Sequence, residues 1–338
     1  MIDMWNFAEQ LNKYGPNSPN RQWSKNEAQS YCTWVTRTHY ENFSAVSILL
    51  PRNLIPHFYP VYAYCRWSDD LADEVNQGEE VLILLDWWRK ELLKIYAGGN
   101  CVLLHPVMVA LKPTIEKFQI PQNPFLDLLK AFTQDQFKKR YLTFDELIQY
   151  CENSANPVGH LVLYLADSYN EENARRADLI CTGLQLANFW QDIARDYHQL
   201  GRIYVPEEDW LRFGLTETDF AQGSATKEFR EMLRFQVERT EQMFQEGASL
   251  LERLPSTIRL DIELILQGGL GILQQIRAVD YDVLTKRPKL SKRDQVSFLV
   301  KVLGKSLFRA MRGPFGLKPR IDLCYQAIGS KNPTIQIY

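Results

Sequence analysis

The cysteines of this chain are few and ungrouped. Cys32, Cys65, Cys101, Cys151, Cys181 and Cys324 stand scattered through 338 residues with no C-x-x-C spacing. That excludes a thiolate zinc site and a disulfide framework, and it predicts reduced, mostly buried thiols. An excess of positive charge is missing too. With 39 Lys and Arg against 41 Asp and Glu and no polybasic tail, no nucleic-acid partner is expected. No run approaches the roughly 20 apolar residues that span a bilayer. The opening Met1-Ile2-Asp3-Met4-Trp5-Asn6 has neither the basic start nor the apolar stretch of a signal peptide. A cytoplasmic protein is therefore expected, with weak peripheral membrane contact left open. Alternating strand-like runs bounded by Asn-Gly or Asp-Gly are also lacking. So is a dinucleotide loop, because Gly268-Gly269-Leu270-Gly271 has helical surroundings and no strand before it.

What is present is helical period. Apolar residues recur at three and four along almost every segment, which predicts an all-α fold. Ser24-Lys25-Asn26-Glu27 fits a capping box at the start of a helix. Pro51 and Pro56 bracket a turn before the helix that carries Tyr62 to Glu74. Further helices are expected near 79–97, 103–118, 124–139, 143–153, 158–168, 171–197, 225–253, 256–284 and 291–312. No low-complexity linker divides the chain. The expected organisation is an irregular lead-in at 1–25, one helical domain at 26–312 and an irregular tail at 313–338.

Two helices carry acidic stripes. In the first, Tyr62, Arg66, Asp69 and Asp73 are spaced four, three and four, which puts them on one face. In the second, Gln185, Asn188, Asp192 and Asp196 fall at three, four and four among Leu184, Leu186, Ala187, Phe189, Trp190 and Ile193. Like charges at that spacing destabilise a helix unless they are neutralised, and unpaired carboxylates in apolar surroundings cost several kcal/mol. Hard oxygen ligands of this kind suit Mg²⁺, which completes its shell with water and phosphate oxygens. The competing readings are a solvated surface helix for the first stripe and a salt-bridge network with Arg195 or Arg202 for the second.

Longer motifs surround both stripes. They are His39-Tyr40-Glu41-Asn42-Phe43, Tyr62 through Glu74, Tyr150 through Gly159, and Gln185 through Asp196 continuing into Gly201-Arg202-Ile203-Tyr204. Together, from about Thr38 to Lys292, the chain resembles the squalene/phytoene synthase family of head-to-head prenyl transferases. Ser154-Ala155-Asn156-Pro157-Val158-Gly159 and Asn188-Phe189-Trp190-Gln191-Asp192 look most like bacterial hydroxysqualene synthases of hopanoid pathways. Relatives that make phytoene or dehydrosqualene more often carry Ala-Gly-x-Val-Gly and Asn-x-x-Arg-Asp there.

The resemblance implies a single-domain isoprenoid synthase bundle of helices around a central cavity. It implies Mg²⁺ on Asp69, Asp73, Asn188, Asp192 and Asp196. Tyr62, Arg66, Tyr150, Gln185, Arg202 and Tyr204 match residues that hold diphosphate or line the reacting region. His39, Asn42 and Phe43 match a helix closing one side of the site, and Ala155, Val158 and Gly159 belong to a substrate-binding motif. The implied substrate is presqualene diphosphate, converted with water to hydroxysqualene and diphosphate. Two alternatives stay open: a synthase that joins two molecules of farnesyl or another prenyl diphosphate, and a non-catalytic isoprenoid-binding or assembly protein. Oligomeric state is not readable.

Two departures stand out. Gly269 falls where many relatives have a tyrosine, which predicts a larger or wetter pocket. Arg195 precedes Asp196 where relatives often carry an acidic residue. Lys286-Arg287-Pro288-Lys289 reads either as a solvated turn or as a contact for diphosphate or anionic lipid. Trp87-Trp88 reads as helix packing and His105-Pro106 as a turn. His160 and His198 read as ordinary polar positions.

Overall fold

The computed structural model describes residues 5–19, 21–38, 51–75, 78–98, 101–294, 296–300 and 302. Its helices are α1 (Phe7–Tyr14), α2 (Lys25–Thr38), α3 (Ile55–Asp73), α4 (Glu79–Tyr96), α5 (Pro106–Phe118) and α6 (Asn123–Asp135). There follow α7 (Phe144–Ser154), α8 (Asn156–Leu165), α9 (Glu171–Arg195), α10 (Glu207–Arg212), α11 (Lys227–Gly247) and α12 (Ser256–Ala278). Described residues between 292 and 302 are helical as well. Among the described residues there is no strand, only an isolated parallel bridge between Arg140 and Ile203. No described helix is long and apolar enough to cross a membrane.

Local signals explain most boundaries. Ser24 N–H donates to Glu27 Oε2 at 3.0 Å and Glu27 N–H donates to Ser24 Oγ at 3.2 Å, completing the expected capping box. The stretch 1–25, expected to be irregular, instead contains α1, whose first turn is capped by Asn6 accepting from Glu9 N–H. The expected helix at 225–253 ends at Gly247 and tightens into a 3₁₀ turn over Ala248–Glu252. The helix expected to reach 284 stops at Ala278, and Asp280 and Tyr281 then take positive φ values of 50° and 59°. The tail at 313–338 lies outside the described residues.

The described residues group into two compact units. The first lies within Met1–Tyr40, Arg52–Lys139 and Ile148–Ala174, and the second within Arg140–Leu147 and Arg175–Tyr338. In the first unit, an aromatic core fixes α3. Trp67 and Trp88 stack at 5.5 Å, and Tyr64 stacks on Trp88 at the same distance. Their polar ends are satisfied: Trp88 Nε1 donates to Ser68 Oγ, Trp67 Nε1 to Tyr31 OH and Tyr64 OH to the Phe125 carbonyl. His105, predicted as a turn residue, is buried against both tryptophans and caps α5 by accepting from Val107 N–H. Burial holds its ring well below the ordinary histidine range, and hence neutral. Rings of this size bury about 200 Å² each, worth on the order of 5 kcal/mol at ~25 cal/mol per Å². Tyr64, Trp67 and Leu71 therefore set the rotation of α3. At roughly 100° per residue, Tyr62, Arg66, Asp69 and Asp73 fall on the opposite side.

The second unit is organised around Phe244 of α11. Gly183 of α9 and Gly269 of α12 both abut its ring, where an added Cβ would stand 2.8 Å and 2.5 Å from ring atoms. Trp190 Nε1 donates to Thr240 Oγ1 at 2.8 Å, tying α9 to α11 within the core. Gly183 and Trp190 lie on the buried side of α9, so Gln185, Asn188 and Asp192 are turned away from the packing face.

Candidate active site

In the first unit, α3 ends in four carboxylates, Asp69, Asp70, Asp73 and Glu74, with no basic residue in its last turn. The negative end of the helix dipole adds to their mutual repulsion. Arg66 offsets part of it. Its Nη1 lies 3.1 Å from Asp69 Oδ2 and its Nη2 donates to Asp70 Oδ1. Asp70 is fully buried and also accepts from Trp5 Nε1 at 3.0 Å, so it belongs to the core. Asp69 is the ligand-like member. Burial pushes its carboxyl up to about 7, against the pull of Arg66 and with a further push from Asp73, Asp70 and Asp135. Asp73 is exposed.

Asp135, at the end of α6, was not legible as a site residue. It accepts a hydrogen bond from Tyr150 OH at 2.9 Å and lies close enough to raise the Asp69 carboxyl. Through it the structure joins Tyr150 to the first acidic stripe. Only its place in the fold identifies it, since Gln134-Asp135-Gln136 has no distinguishing pattern. Ala155 is buried before the first turn of α8, Val158 within that turn is 44% exposed, and Gly159 is half-buried. Tyr62 is half-buried on the same face of α3 as Arg66. His39, Asn42 and Phe43 lie outside the described residues.

In the second unit, α9 carries Gln185, Asn188 and Asp192, all half-buried. Asn188 Nδ2 is buried without a hydrogen-bond partner. Asp196 opens a π-turn, Asp196–Leu200, closed by Gly201 in the left-handed region at φ 63°. Such widened turns are rare and recur at functional sites. Here the turn brings the chain back so that Arg202 N–H donates to the Asp196 carbonyl at 2.9 Å. Arg202 Nη1 then donates to Tyr204 OH at 3.2 Å, and the Tyr204 ring stacks on Phe189 with centroids 3.7 Å apart. The predicted residues Asn188, Asp192, Asp196, Arg202 and Tyr204 thus gather at one end of α9. Burial pushes the Asp196 carboxyl up to about 7. Asp192 adds to the rise, whereas Arg195, Arg202 and Arg287 oppose it.

Asp192 has one salt-bridge partner that was foreseen, Arg195, and a closer one that was not. Arg195 is half exposed and its Nη1 stands 3.9 Å from Asp192 Oδ2. The close partner is Arg287, whose Nε donates to Asp192 Oδ1 and whose Nη2 donates to Oδ2 at 2.9 Å. Lys286–Lys289 is therefore no free turn. The pocket expected beside Gly269 is also corrected, because Phe244 and Leu184 fill the space that a side chain there would take.

Among the described residues, no three His, Cys, Asp or Glu side chains converge on one point. Each stripe offers two carboxylates. That donor set fits Mg²⁺, which is commonly held by one or two carboxylates and otherwise by water and phosphate oxygens. The raised Asp69 and Asp196 carboxyls and the unsatisfied Asn188 amide are groups that a bound cation and its shell would satisfy.

Comparison with known proteins identifies the family. A family model described as Squalene/phytoene synthase matches residues 36–294. The solved squalene synthase HpnC from Alicyclobacillus acidocaldarius is 42% identical at a TM-score of 0.72, over 76% of this chain and 95% of that one. A dehydrosqualene synthase solved in complex with ligand is 26% identical at a TM-score of 0.74, over 85% and 98% of the two chains. Phytoene synthase of Arthrospira platensis is 29% identical over 277 residues, 78% of this chain and 88% of the relative. The helices have the all-α isoprenoid synthase fold. The chain belongs to the squalene/phytoene synthase family, whose members are head-to-head prenyl transferases.

Proposed function

We propose that this protein is a Mg²⁺-dependent hydroxysqualene synthase, converting presqualene diphosphate and water to hydroxysqualene and diphosphate. The observation that carries this reading is the gathering of Asn188, Asp192, Asp196, Arg202 and Tyr204 at one end of α9. The 42% identity to HpnC over nearly all of that chain supports the hopanoid branch.

Asp69 and Asp73 on one helix, and Asn188, Asp192 and Asp196 on the other, are the proposed holders of metal. Magnesium, when bound, supplies a Lewis acid for the departing diphosphate. The chain's own residues do the rest. Arg66 and Arg202 bring permanent positive charge to developing negative charge on the leaving group. Tyr204, held by its stacks on Phe189 and Tyr141, accepts from Arg202 and keeps that guanidinium in place. Tyr62, Tyr150 and Gln185 line the reacting region. Ala155, Val158 and Gly159, with His39, Asn42 and Phe43, are the proposed substrate-binding residues. Water adds to the final cation, and the proton it releases goes to the diphosphate, so no reductant is required.

A second reading, condensation of two prenyl diphosphates to presqualene diphosphate, squalene or phytoene, draws on the phytoene synthases among the relatives. Purified protein with Mg²⁺ and no NADPH, given presqualene diphosphate or farnesyl diphosphate separately, separates the two by product mass. Hydroxysqualene from presqualene diphosphate is the expected result. A condensation product from farnesyl diphosphate selects the second reading. Turnover of neither selects an isoprenoid-binding protein.

A further inference from the structure

After α12 the chain makes a tight turn that is heavily anchored. Asp282 Oδ1 accepts from Ala225 N–H and Thr285 N–H, both at 3.1 Å, and Arg230 grips Asp280 and Asp282 at 2.9 and 3.0 Å. The segment Lys286–Lys289 leaves this anchor and reaches α9. There Gln191, only 6% exposed, donates from Nε2 to the Pro288 carbonyl at 2.6 Å. That bond fixes the backbone next to Arg287, and the guanidinium fork lands on both oxygens of Asp192.

A neutral amide is well chosen for residue 191, since it reaches a carbonyl without placing a second positive charge beside the guanidinium. A planar fork on a carboxylate also uses the oxygen lone pairs that a cation would need. Asp192 thus has two claimants, Arg287 and a divalent ion.

We infer that Lys286–Lys289 is a strap that competes with the divalent cation for Asp192, and that Gln191 is the positioning residue that sets its strength. The inference rests on the reading of Asp192 as a metal ligand. It makes the strap a determinant of metal affinity, separate from any contact with substrate. Loading a cation on Asp192 requires the fork to give up at least one carboxylate oxygen. Weakening the strap therefore tightens metal binding, whereas mere structural damage to the site would weaken it.

The test is Mn²⁺ binding to the purified full chain without substrate, followed by the free-Mn²⁺ electron paramagnetic resonance signal. Arg287→Gln is expected to tighten Mn²⁺ binding about tenfold. Gln191→Met, similar in length but unable to donate, is expected to tighten it about threefold. Circular dichroism melting identifies any variant that has unfolded, and Arg287→Lys, which keeps the charge but loses the fork, is expected to lie between Arg287→Gln and the parent. If Asp192→Asn weakens Mn²⁺ binding but neither Arg287→Gln nor Gln191→Met strengthens it, the strap is overturned and the metal reading stands. If Asp192→Asn leaves Mn²⁺ binding unchanged, the metal reading falls and the strap falls with it.

Discussion

Phe244 lies so close to Gly269 that a Cβ on that glycine would stand 2.5 Å from its Cζ. Phe244 is fully buried and also touches Gly183, so it has little room to retreat. Gly269→Ala is therefore expected to lower stability by about 1–3 kcal/mol through overpacking. Denaturant unfolding checks the loss. Phe244→Leu in the same chain should recover part of it, giving a double variant less destabilised than the sum of the two.

Arg66 holds the buried Asp70 together with Trp5, and removing one side of a buried pair leaves an uncompensated charge. Burial already pushes the Asp70 carboxyl up to about 6 despite Arg66 and Trp5. Arg66→Met should cost on the order of 3 kcal/mol at neutral pH. Adding Asp70→Asn should recover much of that, read from urea midpoints of the single and double variants.

Asp261 gives the fold a pH dependence of its own. It is buried on α12, neither carboxylate oxygen has a hydrogen-bond partner, and burial pushes the carboxyl up to about 8. The unfolded chain releases this proton near pH 4, whereas the folded chain keeps it to about 8. Between those values the folded state binds more protons, so rising pH removes stability, by up to about 1.4 kcal/mol per pH unit. The loss is absent below pH 4 and complete above 8. Asp261→Asn should flatten the stability profile between pH 5 and 8. Equal pH slopes in parent and variant would assign the carboxyl an ordinary titration.

Asp192→Asn is expected to reduce turnover of presqualene diphosphate by at least ~100-fold with an unchanged circular dichroism spectrum. Undiminished turnover would remove Asp192 from the reaction.

Much of this was readable in the sequence for a definite reason. Helical period is local, so the spacing of Tyr62, Arg66, Asp69 and Asp73 was enough to place them on one face. The Ser24–Glu27 capping box was equally local. What escaped was non-local. Asp135 joins the first stripe only by packing, and Arg287 reaches Asp192 from 95 positions away. The missing tyrosine at Gly269 suggested space because a single sequence does not reveal that Phe244 and Leu184 fill it. Helix α1 escaped because it spans only eight residues, although Phe7, Leu11 and Tyr14 stand at helical spacing behind the Asn6 cap and were legible there.

The π-turn at Asp196–Leu200 has one more consequence. It stores one residue beyond α-helical spacing just before the chain reverses at Gly201. A single deletion among Tyr197, His198 and Gln199 would let the helix close normally. The surplus residue would be removed where it is absorbed, so the following loop would keep its direction, and Arg202 and Tyr204 would still reach the end of α9 on the same side. The spacing between Asp196 and Arg202 can thus shrink by one residue without redirecting the loop, and the π-turn marks the place where it can.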